Sequence, residues 1–247
     1  SLLAVMCRCQ RTVCATDRIG FRRPESHTAQ RTPMKRMRGD SFGLIFQVSL
    51  AGLTPFMNIG EQLCEVLIEH KGMDYADARA RALEVLDILQ FPQPKRRFRM
   101  YPRELSGGMR QRVMIALALA CKPDLIIADE PTTALDITIQ AQILEFMAGL
   151  KRHTDTAIIM ITHDFGVAAE LCDHIIVMYA GRMVESGRVA DIFDRPQHPY
   201  TQALLRATPR LDSDPDVGLP LIPGRPPDLQ RLPVGCAFAD RCTQVMD

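Results

Sequence analysis

Leu105-Ser106-Gly107-Gly108-Met109-Arg110-Gln111-Arg112 opens the stretch that decides the fold, and Leu125-Ile126-Ile127-Ala128-Asp129-Glu130, then Ala134-Leu135-Asp136, closes it. The opening puts a small hydroxyl residue and two glycines at the start of an apolar helix. Ser106 suits an N-cap, and without Cβ atoms on Gly107 and Gly108 the first backbone N–H groups and the positive end of the helix dipole approach an anion closely. The closing segment is a buried strand that ends in two adjacent carboxylates. A strand of this kind delivers its last side chains to the carboxyl edge of an α/β sheet, where ligands bind.

These three segments, in this order and spacing, resemble the signature motif, the Walker B strand and the D-loop of ABC-type ATPases. Upstream, Phe42 to Phe46 reads as a short strand with Gln47 at its end, before a loop through Pro55. Gln47 resembles the Q-loop glutamine of that family, although Val48-Ser49 follow where many relatives place an acidic residue and proline. Downstream, Thr156 to Ile161 reads as a second buried strand with Thr162-His163-Asp164 at its end. His163 stands where the family carries its switch histidine.

Between these sites the pattern alternates strands with helices, which predicts a mainly parallel sheet covered on both faces. Ile59, Leu63, Val66 and Leu67, and then Ala82, Leu83, Leu86 and Leu89 after an Asp74 N-cap, have helical spacing. They predict two amphipathic helices of a signature subdomain at about 57–112. Phe91 to Pro102 reads as a connecting loop. A helix is expected from Ser106 to Cys121, another from Ile137 to Arg152 capped by Asp136, and a third from Phe165 to Cys172. His174 to Tyr179 is expected to turn at Ala180-Gly181 into a strand over Met183 to Ser186. The fold class is therefore α/β, and the resemblance implies a P-loop NTPase-like, partial ABC ATPase core over 35–195.

His198-Pro199-Tyr200-Thr201-Gln202-Ala203-Leu204-Leu205, Ile222-Pro223-Gly224-Arg225-Pro226-Pro227-Asp228-Leu229 and Gly235-Cys236-Ala237-Phe238-Ala239-Asp240-Arg241-Cys242 resemble the carboxy-terminal extension of ATP-binding subunits of dipeptide, oligopeptide and nickel importers. The expected extension, 196–247, stops within that pattern. In some relatives its cysteines hold an iron–sulfur cluster. A cluster takes four thiolates, and Cys236 and Cys242 are two, so reduced thiols are the simpler reading.

Composition fits this assignment. The chain has 247 residues, 47% hydrophobic and 24% charged, which suffices for one large α/β domain with an appendage. Its longest apolar run, Val113 to Cys121, is far short of the roughly 20 residues a membrane helix needs. Net charge is +1, but residues 1–40 carry nine Lys/Arg against three Asp/Glu, so the remainder is acidic and offers no nucleic-acid face. The eight cysteines form no paired framework. Cys7, Cys9 and Cys14 cluster without a fourth ligand at a metal-site spacing.

In residues 1–33, Arg, Thr, Gln and Pro interrupt every apolar period, so 1–34 is expected to be a disordered or unrelated leader. No Gly-x-x-x-x-Gly-Lys-Ser/Thr run occurs. Only Gly20, Gly39, Gly43 and Lys35 precede Gln47, and the expectation is a chain without its Walker A segment.

The resemblance implies a head-to-tail dimer with two ATP molecules between subunits. In that arrangement Glu130 polarises the attacking water, Asp129 and Gln47 attend Mg²⁺, and His163 reads the γ-phosphate. Ser106, Gly107, Gly108 and Gln111 serve the partner's ATP, and Asp136 crosses the interface. The implied partners are a second, paralogous ATPase subunit, the transmembrane permease subunits and, indirectly, a solute-binding protein. The implied location is peripheral, on the cytoplasmic face of the bacterial inner membrane. Two other readings are a non-hydrolysing subunit that completes a partner's ATP site, and a soluble ABC ATPase acting on nucleic acid. The importer-like tail disfavours the latter.

Overall fold

The computed structural model describes residues 3–7, 12–15, 18–21, 41–47, 52–133, 137–208 and 221–245. Its strands are β1 (Leu3–Cys7), β2 (Thr12–Ala15), β3 (Arg18–Phe21), β4 (Phe42–Ile45), β5 (Leu125–Asp129), β6 (Ala157–Thr162), β7 (His174–Tyr179) and β8 (Arg182–Arg188). Its helices are α1 (Ile59–Lys71), α2 (Tyr75–Ile88), α3 (Pro94–Arg97), α4 (Gly107–Ala120), α5 (Ile137–His153), α6 (Phe165–Leu171), α7 (Val189–Asp194) and α8 (Pro199–Arg206). The chain divides into two compact units, one of residues 8–160 and one of residues 1–7 with 161–247.

In the first unit β4 and β5 pair in parallel, Phe42 opposite Leu125 and Ile45 opposite Ala128. Leu125, Ile126 and Ala128 are buried, as the unbroken apolar run of a strand covered on both faces requires. The start of β6 lies beside β5, where Ala157 N–H donates to the Asp124 carbonyl at 2.8 Å. Helix α4 packs against β4. A Cβ on Gly43 would come within 2.6 Å of the Ala118 carbonyl oxygen, so this close approach of strand to helix needs glycine.

Helices α1, α2 and α4 pack on one another, burying Leu63, Leu67, Ala82, Leu86, Val113 and Ile115. Their starts follow from capping chemistry. Asn58 accepts from Glu61 N–H, Asp74 from Asp77 N–H, both at 2.8 Å, and Ser106 from Met109 N–H at 3.4 Å. The segment expected as a loop, Phe91 to Pro102, contains α3, because Pro94 at its first turn presets a helical φ and needs no N–H partner.

The second unit is built on antiparallel pairing. β7 and β8 form a hairpin, His174 opposite Arg188 and Tyr179 opposite Arg182. β1 pairs antiparallel with β7, Leu3 opposite Val177 and Met6 opposite His174. Within the stretch expected as a disordered or unrelated leader, the described residues also include the β2–β3 pair, Thr12 opposite Phe21 and Ala15 opposite Arg18. Thr, Val, Ile and Phe favour strands, and the polar interruptions that break a helical period leave a strand possible. β1 runs toward the amino end of β7. A strand that feeds a phosphate loop must finish at the carboxyl edge instead.

Candidate functional site

Strand β5 leads Asp129 and then Glu130 to the carboxyl edge of the β4–β5 pair, both half-buried. Glu130 has φ 45°, the left-handed region that non-glycine residues rarely occupy. A conformation of this type costs about 1–3 kcal/mol and persists only where neighbours impose it. Thr133 N–H closes the turn onto the Glu130 carbonyl at 3.2 Å. The Thr133 hydroxyl and the Gln47 amide N–H both donate to Glu130 Oε2, each at 2.8 Å. Gln47, at the end of β4, and Glu130, 83 residues later, are therefore brought together at adjacent strand ends.

Ser106, Gly107 and Gly108 occupy the N-cap and first turn of α4. Ser106 is exposed and the glycines are half-buried, and a Cβ built on Gly107 would meet nothing within 4 Å. The cradle is open on that side. Gln111, grouped with it by sequence, is not. It is 3% exposed, and its Nε2–H donates to the Pro131 carbonyl at 2.8 Å. Its amide is turned toward Pro131 of its own chain rather than toward the open side of the cradle. Asp136, with Ala134 and Leu135, lies outside the described residues.

In the other unit, His163 follows β6 with its side chain exposed. Asp164 holds its surroundings. Its Oδ1 caps α6 by accepting from Gly166 N–H at 2.8 Å and Val167 N–H at 3.4 Å, while its own N–H donates to Thr162 Oγ1 at 3.0 Å. The Thr-His-Asp order carried this signal, since Asp before an apolar helix is a cap.

Sequence reasoning also missed two arginine clamps. Arg112 donates to the Leu89 and Gln90 carbonyls, at 3.1 and 2.6 Å, and to Gln142 Oε1. It thereby satisfies carbonyls just past the end of α2, and burial pushes its pKa down. Arg241 donates to the Pro223, Ile222 and Tyr179 oxygens at 2.7, 3.1 and 3.2 Å. With Tyr179, Tyr200 and Phe238 in mutual ring contact, it fastens the proline-rich tail to β7 and α8.

Cys236 and Cys242 lie in that tail, and Cys236 Sγ stands 3.8 Å from His198 Nε2. Among the described residues no group of three or more His, Cys, Asp or Glu is arranged to hold a metal ion.

His198 gives this tail a pH dependence. Its Nδ1 accepts from Tyr200 N–H at 3.1 Å, so the neutral ring carries its hydrogen on Nε2. Burial pushes its pKa down, and Glu185, which accepts from the Gln197 and His198 N–H groups, offsets part of that. A pKa lower in the folded than in the unfolded state means that the stabilisation is complete above the ordinary imidazole value of about 6.5 and is lost as pH falls below it. Hydrogen exchange of residues 221–245 is expected to accelerate between neutral and mildly acidic pH, and His198→Gln is expected to flatten that dependence. An unchanged profile in the variant would place the sensitivity elsewhere.

Among the described residues, no helix is long and apolar enough to cross a membrane. The chain matches the ABC transporter family over residues 1–133 and the oligopeptide/dipeptide transporter C-terminal region over 184–247. It is 53% identical over 214 residues to the oligopeptide transport ATP-binding protein OppD of Salmonella typhimurium, covering 87% of this chain and 64% of that protein. It is 50% identical over 213 residues to the dipeptide transport ATP-binding protein DppD of Bacillus subtilis, covering 86% of this chain and 63% of that protein. The chain thus spans less than two thirds of the length of these relatives. Among solved structures it is similar to the dimeric post-hydrolysis state of the ATP-binding cassette MJ0796 bound to ADP and Pi, with TM-score 0.63, 29% identity and coverage of 69% of this chain and 72% of that one. Matched over more than half its length and carrying the α4 cradle and the β5 carboxylates in the order that first suggested it, the chain belongs to the ABC transporter family.

Proposed function

We propose that this chain is part of the ATP-binding subunit of an importer for peptides, peripheral on the cytoplasmic face of the bacterial inner membrane, where ATP hydrolysis drives substrate entry through permease subunits. The observation that carries the reading is the convergence of Gln47 and Thr133 on one oxygen of Glu130 at the carboxyl edge of β4 and β5. The carboxy-terminal match supports peptides as the cargo over nickel. A paralogous ATPase subunit is the proposed partner, joined head to tail.

Phosphoryl transfer asks the protein for positioning and charge stabilisation. Glu130 orients and polarises the attacking water. The Asp129 carboxylate and the Gln47 side-chain carbonyl are hard oxygen donors of the kind Mg²⁺ takes, so the residues present fit that ion. When bound, Mg²⁺ neutralises charge on the β and γ phosphates. Gln47, bonded to Glu130 through its amide nitrogen, keeps its carbonyl oxygen for the ion or its water. His163 is assigned to the γ-phosphate, and Ser106, Gly107 and Gly108 to the ATP held by the partner.

Gly107 allows a clean test. Side chains there meet open space, and an acidic residue in the first turn favours the helix dipole, so Gly107→Glu is expected to fold with unchanged or slightly raised stability. The added carboxylate would stand where a phosphate must approach. ATP-dependent association with a nucleotide-competent partner subunit, followed by size-exclusion chromatography with Mg²⁺-ATP, is expected for the parent and lost in the variant. Association that survives Gly107→Glu would overturn the cross-subunit assignment.

A further inference from the structure

We infer that Gln111 is a positioning residue whose buried amide sets the Glu130 carboxylate through the Pro131 carbonyl, and so ties the segment serving one ATP to the carboxylate serving the other. The inference rests on the reading of Glu130 as the hydrolytic carboxylate. Glu130 occupies left-handed backbone space, which its own residue type does not favour. The constraint must come from neighbours. Pro131 has a fixed φ and no N–H, leaving its carbonyl as the one backbone polar group by which that residue can be gripped. Gln111 Nε2 grips it at 2.8 Å from a site only 3% exposed.

Pro131 and Thr132 are buried as well, so the turn is clamped from within the protein. Rotation of the Pro131–Thr132 peptide would carry Thr133 with it. Thr133 makes both the N–H contact to the Glu130 carbonyl and the hydroxyl contact to Glu130 Oε2. The orientation of the carboxylate therefore follows the Gln111 amide. Gln111 also lies one helical turn after Gly107 on α4. A tilt of that helix, as the cradle engages a phosphate, pulls on the Pro131 carbonyl and reaches Glu130 in the same chain.

The test uses two readouts. In the chain itself, labelled with ¹³C-glutamate, the side-chain carboxyl resonance of Glu130 is assigned by its disappearance in Glu130→Gln. The near-isosteric Gln111→Met variant is expected to move that resonance while the protein stays folded. In the complete subunit assembled with its partner and permease, the same variant is expected to lower kcat for ATP about tenfold with KM within about twofold, the pattern of misplaced catalytic geometry. Gln111→Glu supplies a second variant. A buried carboxyl donates to a carbonyl only when protonated, so its kcat relative to the parent is expected to rise as pH is lowered from about 8 to about 6.

A Glu130 resonance unmoved in folded Gln111→Met overturns the inference whatever the turnover. A raised KM with unchanged kcat overturns it too, returning Gln111 to the role of a ligand. Turnover that survives Glu130→Gln overturns the reading of Glu130 itself, and the resonance alone then decides whether Gln111 positions that carboxylate.

Discussion

Glu130→Gln is expected to reduce ATP turnover of the assembled transporter by about two to three orders of magnitude, the scale associated with removing a positioned base or a charge-stabilising group. The substitution keeps the length of the side chain. Its amide oxygen accepts the same two hydrogen bonds that Gln47 and Thr133 give to Oε2 at 2.8 Å. What it removes is the negative charge that polarises water. Binding of nucleotide is therefore expected to survive while the chemical step is lost, so the nucleotide-bound dimer should persist longer. Phosphate release at saturating Mg²⁺-ATP measures the first effect, and the dissociation rate of the ATP-held dimer measures the second. A loss smaller than tenfold would remove Glu130 from the chemical step and leave Asp129 as the carboxylate to examine.

Where the chemistry is encoded locally, the sequence is legible. The Ser106 cap, the apolar strand into Asp129 and Glu130, and the His174 to Tyr179 strand are each written in consecutive residues, and the structure has the caps and strands there. The pairing of Gln47 with Glu130 spans 83 residues. No local pattern carries it, and only the family resemblance placed the two residues in one site. Gln111 shows how little a local grouping says about where a side chain turns. Proximity to Gly108 grouped it with the phosphate cradle, but the helical turn between them points it to Pro131 and the interior. The tail cluster of Tyr179, Tyr200, Phe238 and Arg241 has no period at all. Its members come from a strand, a helix and the short 3-10 turn Ala239–Arg241 with its cap Phe238, so periodicity cannot find it. The strands β1, β2 and β3 were not legible because a test for helical and globular periodicity says little about short β pairing.

Gln62 ties the loop before α1 to that helix through one buried polar side chain. It is 5% exposed, and its amide group makes three bonds to the loop before α1: it accepts from Thr54 N–H and donates to the Thr54 and Met57 carbonyls, each at 2.9 Å. That loop follows Gln47 and the undescribed residues 48–51, and it leaves Phe56 88% exposed while burying Leu53. Apolar collapse alone would not hold Phe56 outward. Gln62→Leu preserves bulk but leaves the Thr54 N–H and the Met57 carbonyl without the amide, while the Thr54 carbonyl keeps its bond from Met57 N–H at 3.3 Å. Each lost partner is worth about 1–3 kcal/mol where the group stays buried. Rescue by water at the exposed Thr54 brings the expected total to about 1–3 kcal/mol. Urea unfolding should show a lower midpoint at constant slope, and hydrogen exchange should speed up selectively at Thr54 and Met57. A stability loss below about 1 kcal/mol would mean that the two loop groups find water without cost, and that Leu53 packing rather than Gln62 holds the loop in place.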